Sequence, residues 1–184
     1  METLPDYLRQ NLCFISVGLN PSPASVKAGY YFANPRNRFW KALNRSRLIE
    51  SELTPGEQAM QELVDKYHIG FTDLVKRSTR MGNQLKVSDY QQWAPVLKEK
   101  LYEYQPDIAW FHGKVAYRNY LKYTGLKETE VPWGPQKYLI GRTRVFVTPN
   151  PSPANAGYSL DELVKSYNAM VSYRIRELFG LGTS

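Results

Sequence analysis

Short apolar runs alternate along this sequence with longer amphipathic stretches, and this alternation limits the fold more than any other feature. Residues 12–17 (LCFISV) and 108–111 (IAWF) are apolar runs closely followed by a glycine, which is typical of buried strands. Residues 144–148 and 137–140 are predicted as further strands. Residues 71–75 are short enough to form either a strand or a loop.

Amphipathic stretches with apolar residues at helical spacing lie between these runs. The spacing predicts helices over residues 38–47, 55–67, 87–104, 115–123 and 159–175. Thr54 is predicted to cap the second of these helices, with Pro55 at its first position. Ser159 and Glu162 have the spacing of a capping box at the start of the last helix.

Alternating strands and helices favour an α/β domain with a buried, mostly parallel sheet. The 184 residues contain no internal repeat, low-complexity tract or long linker, so we predict a single domain spanning residues 1–184. Ligands of such sheets lie beyond the carboxyl ends of the strands. The loops after Val17, Phe111 and Thr148 are therefore the candidate site.

Cysteine and histidine are scarce, and this excludes several kinds of site. The single cysteine, Cys13, rules out an internal disulfide and an iron–sulfur cluster held by four thiolates. The two histidines, His68 and His112, lie far apart and form no zinc-binding pattern. We expect no metal site, and we predict that the Cys13 thiol is buried and inert.

Charge and hydropathy indicate the partner and the compartment. Lys and Arg number 24 against 17 Asp and Glu, and the charge of +7 is spread along the chain, which suggests a polyanionic partner. No apolar run approaches the ~18–20 residues of a membrane span. The N-terminal segment METLPDYLRQ has no signal-peptide core, so we expect a cytoplasmic protein without membrane association.

The sequence Asn-Pro-Ser-Pro-Ala occurs twice, at 20–24 and at 150–154, each time directly after an apolar strand. Its prolines hold a loop rigid, while Asn and Ser supply hydrogen-bonding groups. Backbone N–H groups in such turns can cradle a phosphate. Either loop alone fits a plain turn. Two copies at the same architectural position favour a binding role.

A segment rich in aromatic residues follows the first loop. Phe39 and Trp40 belong to a predicted helix and are assigned to its core. Phe32 lies in the loop, where stacking on a nucleobase and ordinary packing are equally plausible readings. Arg36 and Arg38 are placed to meet a phosphate.

These motifs together resemble a known family. Residues 18–40, in which Asn20-Pro21 is followed at fixed spacing by Asn-Arg-Phe-Trp, resemble the first motif of the mismatch-specific uracil/thymine DNA glycosylases, the Mug/TDG branch of the uracil-DNA glycosylase superfamily. Further blocks match in family order at 70–79, 104–117 and 149–152. The resemblance implies a three-layer α/β/α fold. It also implies an enzyme that flips a base out of DNA and hydrolyses its N-glycosidic bond without a cofactor.

The resemblance also implies roles for individual residues. Asn20 matches the catalytic Asn, which positions a water, since an amide is not an effective base. Phe32 matches the aromatic residue that stacks on the extruded base, beside Gly18 and Leu19 in the base-binding segment. The loop that enters the minor groove and fills the vacated stack matches Asn150, Pro151, Ser152, Pro153, Ala154 and Asn155. Ser22 and Ser152 are candidates for the flanking phosphates.

The chain departs from the family pattern at two places. Pro153 and Ala154 stand where the bacterial type has Gly and a wedging Leu, so Asn155 or another neighbour is expected to fill the gap. Asp73 occupies a position that varies in the family. One reading is an exposed, salt-bridged carboxylate. The other is a carboxylate in the base pocket that broadens the substrate range or helps to position water.

The sequence therefore predicts a monofunctional glycosylase that excises uracil and other modified or mismatched bases from DNA, acting as a monomer. Monofunctional chemistry is expected because no lysine stands in a motif for a Schiff base. The alternatives are a non-catalytic module that binds damaged or single-stranded DNA and a hydrolase of free nucleosides. Candidate contacts to backbone phosphates are Lys27, Arg36, Lys76, Arg77 and Arg80, with solvated surface as the default for each.

Overall fold

A five-stranded sheet forms the centre of the protein, whose computed structural model describes residues 2–127 and 130–180. The strands are β1 (Phe14–Gly18), β2 (Ile69–Asp73), β3 (Ile108–His112), β4 (Gly134–Pro135) and β5 (Arg144–Thr148). Their order is β2-β1-β3-β5-β4, and only the short edge strand β4 is antiparallel. The prediction of a mostly parallel sheet is confirmed.

Six α-helices are found in the described ranges. They are α1 (Pro23–Ala28), α2 (Phe39–Arg45), α3 (Glu57–Asp65), α4 (Val87–Tyr104), α5 (Lys114–Tyr123) and α6 (Leu160–Phe179). The predicted capping box opens α6: the Ser159 side chain accepts a hydrogen bond from the Glu162 backbone, and the Glu162 side chain accepts one from Ser159. None of the helices described is long and apolar enough to cross a membrane.

Side chains on the parallel strands alternate between two cores, because successive residues of a strand point to opposite faces. Phe14 and Trp110 pack on one face in a cluster with residues of α2 and α6. Ile15 and Ala109 pack on the other face with residues of α4 and α5. The sheet is thus covered on both sides, and the expected three-layer α/β/α fold is confirmed.

Two local predictions are wrong, and a third segment that was left open is decided. Residues 137–140 do not form a strand: Ile140 and Thr143 pair across a tight turn, and the edge strand lies earlier, at β4. Thr54 does not cap α3, because extended backbone at Gly56 delays the first helical residue to Glu57. Residues 71–75, for which strand and loop were both open, are strand up to Asp73 and loop beyond it, and β2 begins at Ile69.

A short helix, α1, occupies part of the first Pro-rich loop, which the sequence analysis left without regular structure. Ser22 caps it by accepting a hydrogen bond from the Ser25 backbone N–H at 3.1 Å, and Pro23 takes the first helical position. Gly29 ends the helix in the left-handed conformation that glycine tolerates. These are standard helix signals, so the sequence already contained the evidence for α1.

Candidate active site

The carboxyl ends of β1, β2 and β3 open into a cavity of about 450 Å³, a size typical of small-ligand sites. Ten of the residues predicted for the site line it: Gly18, Leu19, Asn20, Ser22, Phe32, Asp73, Asn150, Ser152, Pro153 and Ala154. Two others do not. Pro151 is buried within the second loop, and Asn155 lines an adjoining cavity. The two Asn-Pro-Ser-Pro-Ala loops therefore meet at one cavity, as expected.

Asn20 is held in one orientation by its amide hydrogens. Its Nδ2 donates to the Arg77 carbonyl oxygen at 3.0 Å and to Thr79 Oγ1 at 2.7 Å. A carbonyl oxygen only accepts, so the amide nitrogen must be the atom that faces Arg77. Thr79 in turn donates to the Met81 carbonyl. Because both amide hydrogens are used, Asn20 Oδ1 is the atom left to accept a hydrogen bond at the cavity.

Phe32 lies in the cavity wall with one ring face supported from behind. Its ring stacks on Phe39 with centroids 4.1 Å apart, and its edge meets His112 at 5.1 Å. Its φ of 58° is in the left-handed region, which non-glycine residues rarely adopt. Ser25 Oγ holds the next turn by accepting from the Ala33 N–H at 3.1 Å. Phe39 is fully buried, as predicted.

Asp73 ends β2 opposite Gly18, the last residue of β1. The carboxyl is tucked against that glycine so closely that a Cβ at position 18 would lie 2.5 Å from Asp73 Oδ1. Any larger residue at position 18 would therefore displace the Asp73 carboxyl from this position. Asp73 is only 4% exposed, so the reading of it as an exposed, salt-bridged surface residue is wrong.

Burial is the main influence on the charge of Asp73. It raises the pKa of the carboxyl to about 7, with Asp6 adding to the rise, while the nearby ammonium groups of Lys76 and Lys100 oppose it. Lys76 Nζ lies 4.0 Å from Oδ2, beyond hydrogen-bonding distance. In the described residues, no donor is within hydrogen-bonding distance of Oδ2. The carboxyl thus changes its charge near neutral pH.

One of the predicted phosphate contacts, Lys76, is wrong, and a second, Arg77, has its side chain engaged in an ion pair. Lys76 is buried, with Nζ 2.8 Å from Asp6 Oδ1 and 3.2 Å from the Tyr31 hydroxyl. Arg77 forms a two-pronged pair with Asp89 at 2.8 and 2.7 Å. Lys76 is therefore too buried to reach a phosphate, whereas Arg77 is partly exposed and contacts the site through its backbone carbonyl.

Arg38, also assigned to phosphate, is instead the anchor of the second loop. Its backbone N–H donates to the Pro151 carbonyl at 3.1 Å. Its guanidinium donates to the carbonyls of Ser152, Asn155 and Tyr158, the bond to Asn155 being 2.6 Å. Arg36 and Arg80 differ from it, because both are exposed and line the cavity. They remain the candidates for phosphate contact.

His112 was given no role by sequence, yet it lines the cavity at the end of β3. Its Nε2 lies 2.8 Å from Ser16 Oγ, and burial lowers the pKa of the imidazole to about 3, so the ring is neutral. Thr79 and Ser25 were also missed. Thr79 contacts Asn20, which is 59 residues away, and Ser25 accepts a hydrogen bond from the Ala33 backbone. No local sequence pattern predicts either contact.

The fold and the cavity define a class: an α/β protein with a cavity beside an aromatic ring at the carboxyl edge of a parallel sheet, the place where such folds bind ligands. The chain belongs to the uracil DNA glycosylase superfamily, whose family model matches residues 5–172. This membership supports DNA glycosylase activity, with DNA as the substrate. It confirms the superfamily part of the resemblance.

A solved structure has the same fold. It is the solution NMR structure of a protein from Methanosarcina acetivorans, provisionally described as a uracil DNA glycosylase. The two chains are 21% identical, with a TM-score of 0.55 over 96% of this chain and 98% of the other. At that identity, the likeness extends to the fold alone.

Proposed function

We propose that this protein is a monofunctional DNA glycosylase of the mismatch-specific uracil/thymine branch, acting as a monomer on uracil and related bases in DNA. The observation that carries the proposal is the fixed amide of Asn20, held by Arg77 and Thr79 with Oδ1 left to accept from a water. A held acceptor suits a dissociative reaction, in which the sugar becomes cationic before water attacks. No strong base is then required.

Phe32 would supply the platform for the extruded base. Phe39 packs against the far face of the Phe32 ring, so Phe32 would keep its position when a base stacks on it. Neutral His112 packs against its edge and adds no positive charge to the pocket. The arrangement suits a flat, uncharged base better than a phosphate or a sugar.

Asp73 would be the second group that acts on the water. Its pKa of about 7 leaves a large share of the carboxyl ionised at neutral pH. An ionised carboxylate accepts a proton far better than an amide does. We therefore assign ionised Asp73 to receive the proton of the attacking water, while Asn20 orients that water.

The lining of the cavity supports hydrolysis without a covalent intermediate. In the described part of the chain it contains no lysine, and the nearby Lys76 is engaged with Asp6 and Tyr31. A Schiff base with the sugar would need a free amine at the cavity. The expected product is thus an intact strand with an abasic site.

Single-turnover base release on oligonucleotides with one uracil tests this function. Duplexes with G·U, A·U, G·T and G·hypoxanthine pairs and a single strand with uracil are compared, with alkali revealing abasic sites. We expect release from at least the uracil substrates and a loss of about 100-fold or more in Asn20→Ala. Asn119→Ala, on the surface of α5, is the matched control and is expected to keep the rate.

Two outcomes would contradict the proposal. Asn20→Ala with the rate of the wild type would remove Asn20 from the reaction. If no substrate loses its base while DNA is still bound tightly, the protein is a non-catalytic binder of damaged or single-stranded DNA.

A further inference from the structure

The part of the second loop that lines the cavity carries no large side chain that could act as a wedge; its residues there are Asn150, Ser152, Pro153 and Ala154. Its tip is formed by Pro153 and Ala154, which are small and line the cavity. Asn155, the expected substitute, has its Nδ2 bonded to the Asn150 carbonyl at 2.9 Å. Its own carbonyl is held by Arg38. The prediction that Asn155 fills the gap is therefore not supported by its contacts.

The missing wedge matters because flipping a base out of a duplex breaks its pair and both its stacks. Enzymes that act on duplexes offset this cost by inserting a side chain into the gap. Without such a side chain, a duplex substrate is at a disadvantage. An unpaired base has no partner to lose and leaves no gap in a helix.

An exposed aromatic surface lies next to the active-site cavity. Trp133 is 38% exposed, meets Tyr158 edge-on at 5.3 Å and carries Lys114 Nζ 4.5 Å from its ring centroid. These three residues line a second cavity of about 330 Å³. That cavity shares His112 and Asn150 with the first, so the two adjoin each other.

Stacking on Trp133 requires a base with a free face. Bases inside a duplex are covered on both faces by their neighbours, whereas a base in a single strand is not. A base stacked on an aromatic ring makes a stronger contact than an exposed ammonium does. Lys114 would therefore move from the ring to the adjacent phosphate when a base arrives.

We infer that this protein departs from a strict preference for mismatched duplexes and favours single-stranded DNA, in which uracil enters the Phe32 cavity and a neighbouring unpaired base stacks on Trp133 beside Lys114. This inference rests on the proposed function for the uracil site. The Trp133 surface itself is a binding site for any single strand of suitable length. Binding and base release therefore test the two claims separately.

The experiment uses the full chain and one oligonucleotide sequence, as a single strand and as a G·U duplex. Affinity is measured by anisotropy, stacking by the fluorescence of 2-aminopurine placed beside the uracil, and chemistry by single-turnover base release. The variants are Trp133→Ala and the conservative Trp133→Phe. Leu139→Ala is the control, since Leu139 is exposed but lines neither cavity.

For the wild type, we expect tighter binding and faster base release on the single strand than on the duplex. Trp133→Ala should weaken single-strand binding about 10-fold or more and restore the 2-aminopurine fluorescence. Trp133→Phe should retain most of both properties, and Leu139→Ala all of them. The rate at saturating single strand should change less than about twofold, because Trp133 does not line the reacting cavity.

Either of two results would overturn the inference. One is single-strand affinity in Trp133→Ala within about twofold of the wild type, which would make Trp133 a packing residue only. The other is a preference of the wild type for the duplex. Absence of base release from every substrate would defeat the proposed function instead, while the affinity and fluorescence comparison would still decide the inference.

Discussion

At the residue scale, burial of Asp73 disfavours the ionised carboxylate that its proposed role as a proton acceptor requires. A carboxyl at the end of β2, packed on Gly18 and without a donor to Oδ2 among the described residues, is poorly placed to carry a charge. Lys76 lies near enough to limit that penalty but not to form a hydrogen bond. The result is a carboxyl whose pKa is near neutral pH, which is where a proton acceptor is most effective in catalysis.

The pH dependence of base release follows from this titration. Below pH 7 the Asp73 carboxyl is mostly protonated and cannot take a proton from water, so the single-turnover rate should rise with pH, with a midpoint near its pKa of about 7. Asp73→Asn should slow the reaction about 10- to 100-fold and leave a flat profile. His112, with a pKa of about 3, stays neutral and adds no step in this range.

The control for this profile is Asp161→Asn, a change at an almost fully exposed carboxylate at the start of α6. It is expected to keep both the rate and the midpoint. A rate that falls as pH rises would instead identify protonated Asp73 as an acid toward the leaving base. A midpoint that survives in Asp73→Asn would assign the titration to another group.

At the scale of elements, the structure separates what local sequence encodes from what tertiary contacts decide. The strands β1, β3 and β5 and the helix α6 were predictable because apolar runs and caps are local signals. The strand predicted at 137–140 failed because its residues lead into a turn.

The same distinction applies to the site, because local sequence motifs predicted only some of its residues. The motifs identified Asn20 and Phe32, and the structure places both at the cavity. The partners of Asn20, Arg77 and Thr79, are 57 and 59 residues away, and the pairing of β1 with β2 brings them together. No local periodicity encodes such contacts.

The loop at 150–158 is held by hydrogen bonds from Arg38, and a substitution at Arg38 tests how much these bonds stabilise it. The guanidinium of Arg38, just before α2, donates to three of the loop's carbonyls, so Arg38→Ala should loosen the loop. We expect amide exchange about 10-fold faster there and weaker DNA binding. Arg38→Lys should restore little, since an ammonium lacks the planar fork.

Arg36→Ala is the matched comparison, because Arg36 lies in the same segment and is exposed at the cavity. It should weaken DNA binding without changing exchange in the loop. Unchanged exchange in Arg38→Ala would show that the loop is held by its own turns, chiefly the bond from the Ser152 N–H to Asn150 Oδ1.

At the scale of the whole molecule, the parallel sheet gathers the site at one edge while the charge of +7 is distributed over the chain. Counterions released from DNA phosphates make such binding salt-dependent, with about 0.9 per phosphate for a duplex and 0.7 for a single strand. Contact with about four to six phosphates predicts log–log slopes near −4 to −5 for the duplex and −3 to −4 for the single strand.

This slope is also the property that separates a DNA enzyme from a hydrolase of free nucleosides, whose substrate carries no phosphate. The affinity of the wild type and of Arg80→Ala for the same oligonucleotides is measured across a salt series. Because Arg80 is exposed and lines the cavity, its loss should reduce the slope by about one ion. Lys76→Met should leave the slope unchanged, since Lys76 is buried against Asp6 and faces no phosphate. A slope near zero for the wild type would instead indicate a site that takes nucleosides without the strand.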